Sequence, residues 1–443
     1  MMLHGLKLRL AITIFLFLLI QFLYSQNINV NDFGGEGSSF FIKSEFENGD
    51  HLLILDGKNG GLDINDLNRE LSKGKVIIKN PIGGVSFAPG LFKPTYENST
   101  LEIVAKGDVY ITVSAATISK INISIDAQGD VRIDGPGINT RGGNFYSSGQ
   151  KLTIKNSGLK TGNGNVSICH LDTVSISGEG IKSDQNDISI HGNEVMITNF
   201  GIESNGGICN ITAADDVNIS GNGIRANSFI SSGENFSVTH DGIRVENEGI
   251  SIYHSGKIQI IGGMVTDGSG IFVKNAEEIY ISHKGLNTNG GDVKIDGYSK
   301  LNIKGQGIVT DGGNFTSKGK HLFVGGEDNH EGNGIQTSGG DIIIDQEGDL
   351  LVRANGIFSE SGDIKIFCKG KIDIDQGGVS TENGDISVHS KSSIRLAGFN
   401  LNTNNGEKVG AGALDTSSIL QNTLILVSEP VLGGGDINIM TSK

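Results

Sequence analysis

Residues 356–377 read GIFSESGDIKIFCKGKIDIDQG, and residues 378–399 repeat the plan as GVSTENGDISVHSKSSIRLAGF. Each stretch opens on a glycine followed by an apolar anchor and, two places on, a serine or threonine. Two apolar-polar-apolar triplets follow, Ile364-Lys365-Ile366 and Ile372-Asp373-Ile374 in the first stretch. Period-two alternation places the outer two side chains of a triplet on one face and the middle one on the other. The Gly-Gly, Gly-Asp, Asn-Gly and Ser-Gly pairs between the runs supply the positive φ angles that tight turns need.

The anchor recurs along the chain at Ile138, Leu159, Ile181, Ile202, Ile224, Ile243, Met264, Leu286, Ile308, Ile335, Ile357, Val379 and Leu401, mostly 21 or 22 residues apart. A fixed period of this length marks a repeat architecture. Three short strands and three turns in about 22 residues describe one coil of an all-β, parallel, right-handed β-helix solenoid. One coil cannot bury its own apolar residues, whereas stacked coils line a tube with continuous Ile, Val and Leu files. About 13 coils over residues 129–404, at ~4.8 Å per coil, give a length of roughly 60 Å.

Composition agrees. The chain holds 67 glycines in 443 residues, only 5 prolines and no tryptophan, which excludes collagen, where glycine and proline recur together in triplets. A hydrophobic share of 36% excludes a disordered linker. The formal charge of −15 argues against nucleic acid and anionic membrane surfaces as partners, because an acidic chain releases no counterions from them. Three cysteines, Cys169, Cys209 and Cys368, are too few for a disulfide framework. Cys169 and Cys209 fall about two coils apart, beyond disulfide reach, and buried thiols are expected.

Lys7 and Arg9 precede an apolar run from Leu10 to Leu23, which reads as an export signal over residues 1–25, cleaved near Ser25 or Gln26. No second apolar run approaches membrane-spanning length, so no span is expected in the mature chain. Residues 26–128 should form an N-terminal cap and irregular first coils, because exposed strand edges invite aggregation unless covered. A short capping helix is expected from Asp63 to Lys73-Gly74, with Ile64, Leu67 and Leu71 on one face. Residues 405–443 should close the other end, with Gly410-Ala411-Gly412 and Thr423 to Val427 as candidates.

The Ser/Thr column two places after the anchor suggests an ice-binding array, but it shares the anchor's parity and should point inward, onto turn backbone. Glycoside cleavage needs two carboxyl groups about 5 to 10 Å apart. The outward row of the first strand holds one acid, Glu203, and that of the third holds one, Asp373. The second, with Ser167, Ser189, Ser251 and Thr316, holds none, and the ten histidines are scattered over different coils. No enzyme is therefore expected. Asp341, Asp363 and Asp385, each 22 residues apart, are the best metal candidates, with calcium the fitting cation. No other cofactor is expected. Contact candidates are the row Lys160, Lys182, Glu203, Arg225 and Arg244, the aromatics Phe272, Tyr280, Phe323 and Phe358, and the acidic insertion with Glu327, Asp328 and His330.

The Gly-Gly-Asp-Ile-x-Ile repeats, and the stretch Leu62-Asp63-Ile64-Asn65-Asp66-Leu67 leading to Lys75-Val76-Ile77-Ile78, resemble the filamentous-haemagglutinin-like adhesins, exported bacterial β-helical proteins. The likeness covers roughly residues 60–404. The family's secretion domain carries an Asn-Pro-Asn-Gly-type motif, and this chain departs from it, with only Asn80-Pro81-Ile82-Gly83. The resemblance implies an exported, cell-surface or extracellular, non-catalytic protein that binds a host, matrix or glycan ligand, with an outer-membrane secretion partner. The rivals are a carbohydrate-active β-helix enzyme and a purely structural surface component.

Overall fold

Every consecutive pair of anchors from Ile138 to Leu401 is a pair of register partners on parallel neighbouring strands. The sequence repeat is thus the coil of a parallel β-solenoid. These relations come from a computed structural model. It describes side chains for Leu71 and for residues 74–87, 98–112, 120–325, 334–353, 356–375 and 378–395, and backbone for several flanking strands.

Alternation sets the packing. The second strand Ile364–Cys368 has its first, third and fifth side chains buried and the others turned outward, and Val166–His170 does the same. Second-strand files such as Val166, Ile188, Cys209 and Phe229, and third-strand files such as Val174, Val195, Val217 and Phe236, stack coil upon coil. Nearly every member is under 2% exposed. The core is therefore made of columns, and each inward side chain touches its counterparts above and below as well as across the tube.

A close approach between coils accounts for the glycine that stands before every anchor from Ile138 to Val379. Gly201 has φ +74, and a Cβ on it would lie 1.8 Å from the carbonyl oxygen of Gly223 in the next coil. That oxygen accepts the Ile202 N–H at 3.0 Å, so the close approach is itself part of the ladder between coils.

The expected inward Ser/Thr column is present: Thr140, Thr266, Thr288, Thr310 and Thr337 are fully buried. Each hydroxyl donates to the carbonyl three residues on, Thr337 to Gly340 at 2.7 Å and the others likewise to Gly143, Ser269, Gly291 and Gly313. Thr161 departs from this, since its buried hydroxyl has no partner.

At both ends strands continue beyond the regular anchors. In-register second and third strands begin well before residue 129: Val76, Leu101 and Ile123 stack in one file, and Val85, Val109 and Val131 in another. Beyond them, Phe41–Glu45 runs antiparallel to His51–Leu55, which pairs with Lys75–Asn80. An antiparallel partner thus covers this edge. Of the expected capping helix only Leu71 is described; it has helical backbone, is fully buried and accepts the Gly74 N–H at 3.2 Å. At the other end Glu407–Val409 and Leu414–Asp415 fold back antiparallel, and Ile437–Thr441 adds in parallel to Ile386–Ser390. Gly410-Ala411-Gly412, Thr423 to Val427 and the signal segment lie outside the described residues.

Candidate binding faces

The first-strand row stacks as its spacing requires, with Lys160 beside Lys182, then Glu203, Arg225 and Arg244 on successive coils. Its charges are largely answered within the face. Lys160 pairs with Glu179 at 2.6 Å, Lys182 with Glu203 at 2.9 Å and Arg244 with Asp267 at 3.3 Å. The Lys182 ammonium holds the Glu203 carboxyl below the ordinary carboxylate range, with Arg225 adding to the effect. These pairs are about half exposed and contribute little to stability. Asn139, Arg141, Lys160, Lys182 and Asp184 line a shallow groove of about 350 Å³ beside the row.

Of the four aromatics the structure brings two together. Tyr280, Asn302, Phe323 and Leu351 stack in that order on the outward third-strand face. The Lys304 ammonium lies 5.7 Å from the Tyr280 ring centroid and 5.9 Å from that of Phe323, bridging the two rings. Alongside, Lys300, His321, Phe323, Asp349 and Leu351 line an apolar-walled groove of about 340 Å³. Phe272 stands apart on the second-strand face beside Lys294, and Phe358 on the first-strand face between Gln336 and Ser380.

The second strand is longer than a triplet and has a second outward position, which the triplet pattern hides. Asp296, Lys318 and Asp345 succeed one another there, so this face does carry acids. They alternate with a cation, and Lys318 pairs with Asp345 at 3.3 Å. Cys169 occupies the same column beside His191; it is exposed, contrary to the expected burial, because it sits at an even position of Val166–His170. Cys209 and Cys368 are buried as expected.

The candidate calcium column has another occupation. Asp363 N–H donates to Asp341 Oδ1 at 2.9 Å, and Asp385 N–H to Asp363 Oδ1 at 3.0 Å. The same bond runs from Asn144 to Asn122, Asn165 to Asn144, Asn314 to Asp292 and Asp341 to Asn314. Asparagine and aspartate interchange along this file, so the position requires an acceptor for the next coil's backbone rather than a charge. The Asp385 N–H, and then the Lys365 ammonium, hold the Asp363 carboxyl below the usual range. Among the described residues no group of three or more His, Cys, Asp or Glu is placed to hold a metal ion. Glu327, Asp328 and His330 lie outside the described residues.

Two histidines form buried pairs that their scatter in the sequence conceals. Ser147 Oγ lies 2.9 Å from His170 Nε2, and Ser231 Oγ 2.9 Å from His254 Nε2, all at 1% exposure or less. The signal that would have found them is a Ser-Ser-Gly at 147–149 and again at 231–233, each with a histidine 21 residues after its glycine. Sealed inside the tube, neither pair meets a substrate.

Among the described residues no helix is long and apolar enough to cross a membrane. No family model, no curated protein and no solved structure matches the chain.

Proposed function

We propose that this chain is an exported, non-catalytic, adhesin-like solenoid that binds a host, matrix or glycan ligand through outward rows of successive coils. Export rests on the basic-then-apolar N-terminal stretch, and the same proposal includes an outer-membrane partner for secretion. The observation that carries the binding role is the Tyr280–Lys304–Phe323–Leu351 face. Two aromatic rings and an aliphatic side chain stand on a rigid strand ladder with a cation between the rings, next to an apolar-walled groove. Aromatic surface with a polar handle gives contact area at low entropic cost. Repetition along the coils lets weak contacts add through effective concentration.

The test is binding of the purified mature chain to a glycan array and to cells, beside a Tyr280→Ser/Phe323→Ser variant. Both substitutions are on the outward face, so circular dichroism should be unchanged while binding falls at least tenfold. Absence of binding to every glycan and cell type, or undiminished binding by the variant, would overturn the proposal. Self-association without ligand would favour a structural component, and turnover of a polysaccharide an enzyme.

A further inference from the structure

The corner where the second strand ends carries one file of residues, and at three places in it a large polar side chain stands next to a glycine of the adjoining coil. Gly149 pairs in register with His170, Gly233 with His254, and Gly319 with both Tyr298 and Gln346. A Cβ on Gly149 would lie 3.2 Å from the His170 ring, one on Gly233 3.1 Å from the His254 ring, and one on Gly319 2.4 Å from the Tyr298 ring. The glycines are therefore the space into which the rings fold. Beneath each sits a buried serine of the glycine-bearing coil: Ser147, Ser231 and Ser317. The same cassette is thus built three times, twice with histidine and once with tyrosine and glutamine.

The three differ in how their polar atoms are satisfied. In the third, Tyr298 Oη bonds Ser317 Oγ and accepts from Gln346 Nε2 at 2.8 Å, which closes the network. In the first two the imidazole makes its well-formed hydrogen bond through Nε2, while at the buried Nδ1 of His170 and His254 the nearby Lys151 and Asn235 backbone falls short of hydrogen-bond geometry. A protonated imidazole needs acceptors at both nitrogens, and the folded corner provides one in good geometry and at best a weak backbone contact at the other. Charging either ring leaves a buried cation half solvated, which is costly.

We propose that the Ser147–His170 and Ser231–His254 pairs make this corner an acid-triggered opening point at two levels of the solenoid, four coils apart, while the Tyr298–Ser317–Gln346 cluster keeps the equivalent corner closed. Opening releases the ring to solvent and exposes strand edges locally. Solenoid coils contact only their neighbours, so a corner opens without global unfolding.

The surroundings support a neutral ring in the closed corner. Around His170 the titratable groups are Tyr146, Cys169 and His191 on the outward side, and Lys151, Asp172 and Glu194 at the rims. Lys151 and Asp172 are paired with each other at 3.5 Å in solvent. Burial lowers His170 to about 4, offset slightly by the Lys151 backbone, and no side-chain charge acts on it. Around His254 stand Asp215, Asp216, Glu234, Tyr253, Lys257, Lys274, Glu277 and Glu278. Burial lowers His254 to about 4 as well, with the Asn235 backbone and Asp216 opposing weakly. Phe236 packs on the ring at 5.2 Å between centroids.

The sign follows from linkage. The open corner binds a proton near the ordinary histidine value of about 6.5, above the closed value, so falling pH favours opening from about 6.5 down to about 4. Between pH 7 and pH 5 the opening equilibrium at each pair should rise about twentyfold. Amide exchange of the full chain, corrected for the intrinsic pH dependence, reads this at residues 145–176 and 229–260, with residues 293–319 and 342–346 together as internal control. Protection should fall about twentyfold in the first two segments and hold in the third. His170→Gln and His254→Gln, which borrow the glutamine found at 346, should each abolish the fall in their own segment alone. An equal loss of protection in all three segments, or its persistence in a folded glutamine variant, would overturn the proposal. Should either variant fail to fold, the comparison of segments within the natural chain still decides.

Discussion

Replacing Gly201 by alanine should be among the most damaging single-methyl additions in the molecule, and the structure says by how much. Two costs add. An L-residue at φ +74 loses about 1–2 kcal/mol through its own backbone. The new Cβ, 1.8 Å from the Gly223 oxygen, cannot be relieved by a rotamer, because that atom is backbone and accepts the Ile202 N–H. The coils must part. That weakens a ladder hydrogen bond worth about 1 kcal/mol net and strains packing between the Ile202 and Ile224 anchors by about 1–3 kcal/mol. The total is about 3–6 kcal/mol.

Gly142→Ala separates the two costs. Gly142 has φ +99 but nothing within 4 Å of its Cβ position, so only the backbone cost of about 1–2 kcal/mol applies. Urea unfolding followed by far-UV circular dichroism compares the pair, and amide exchange at Ile202 and Ile224 gives the local view should cooperativity break down along the repeats. The Gly201 variant should be the less stable by about 2–4 kcal/mol. Equal losses in the two variants would refute interlocking of coils as the reason for the glycine column, leaving backbone conformation alone.

The inward hydroxyls offer a second contrast. Thr288→Val removes a buried hydrogen bond to the Gly291 carbonyl and should cost about 1 kcal/mol. Thr161→Val removes a hydroxyl that has no partner, and thermal melting should find it neutral or slightly stabilising. In the acidic file, Asp363→Asn keeps the acceptor for the Asp385 N–H and should melt with the natural chain, whereas Asp363→Ala should melt lower. With Oδ1 of Asp341 and Asp363 already engaged, millimolar calcium should leave the melting temperature unchanged; a clear rise would restore the metal site. Cys169 alone should take up a maleimide in the folded chain. Cys209 and Cys368 should react only on unfolding, as both are buried and burial pushes the Cys368 thiol up to about 12.

The solenoid was legible because its signal is periodic. Strand alternation fixes which side chain faces inward, and the anchor spacing fixes which residues stack, so Ile181 above Ile202 and Lys182 above Glu203 could be written from the sequence and recur in the register. The inward Ser/Thr column followed from the same parity. Where the reading stopped at a triplet it failed. The fourth and fifth positions of the second strand hold Cys169 turned outward and His170 turned inward, and nothing within three residues says so.

The sequence by itself determined the coil, its columns and the inward or outward side of each strand position, because these depend on local alternation repeated at a fixed interval. Only the tertiary structure decided what the columns do. That Tyr280 and Phe323 share one lysine while Phe272 and Phe358 stand alone depends on which of three faces each coil presents. That the aspartate file caps backbone depends on atoms one coil away, about 22 residues off in the chain. That His170 and His254 lie beneath glycines depends on the same separation. Contacts of this kind are made between coils, and a chain read residue by residue shows only the spacing that permits them.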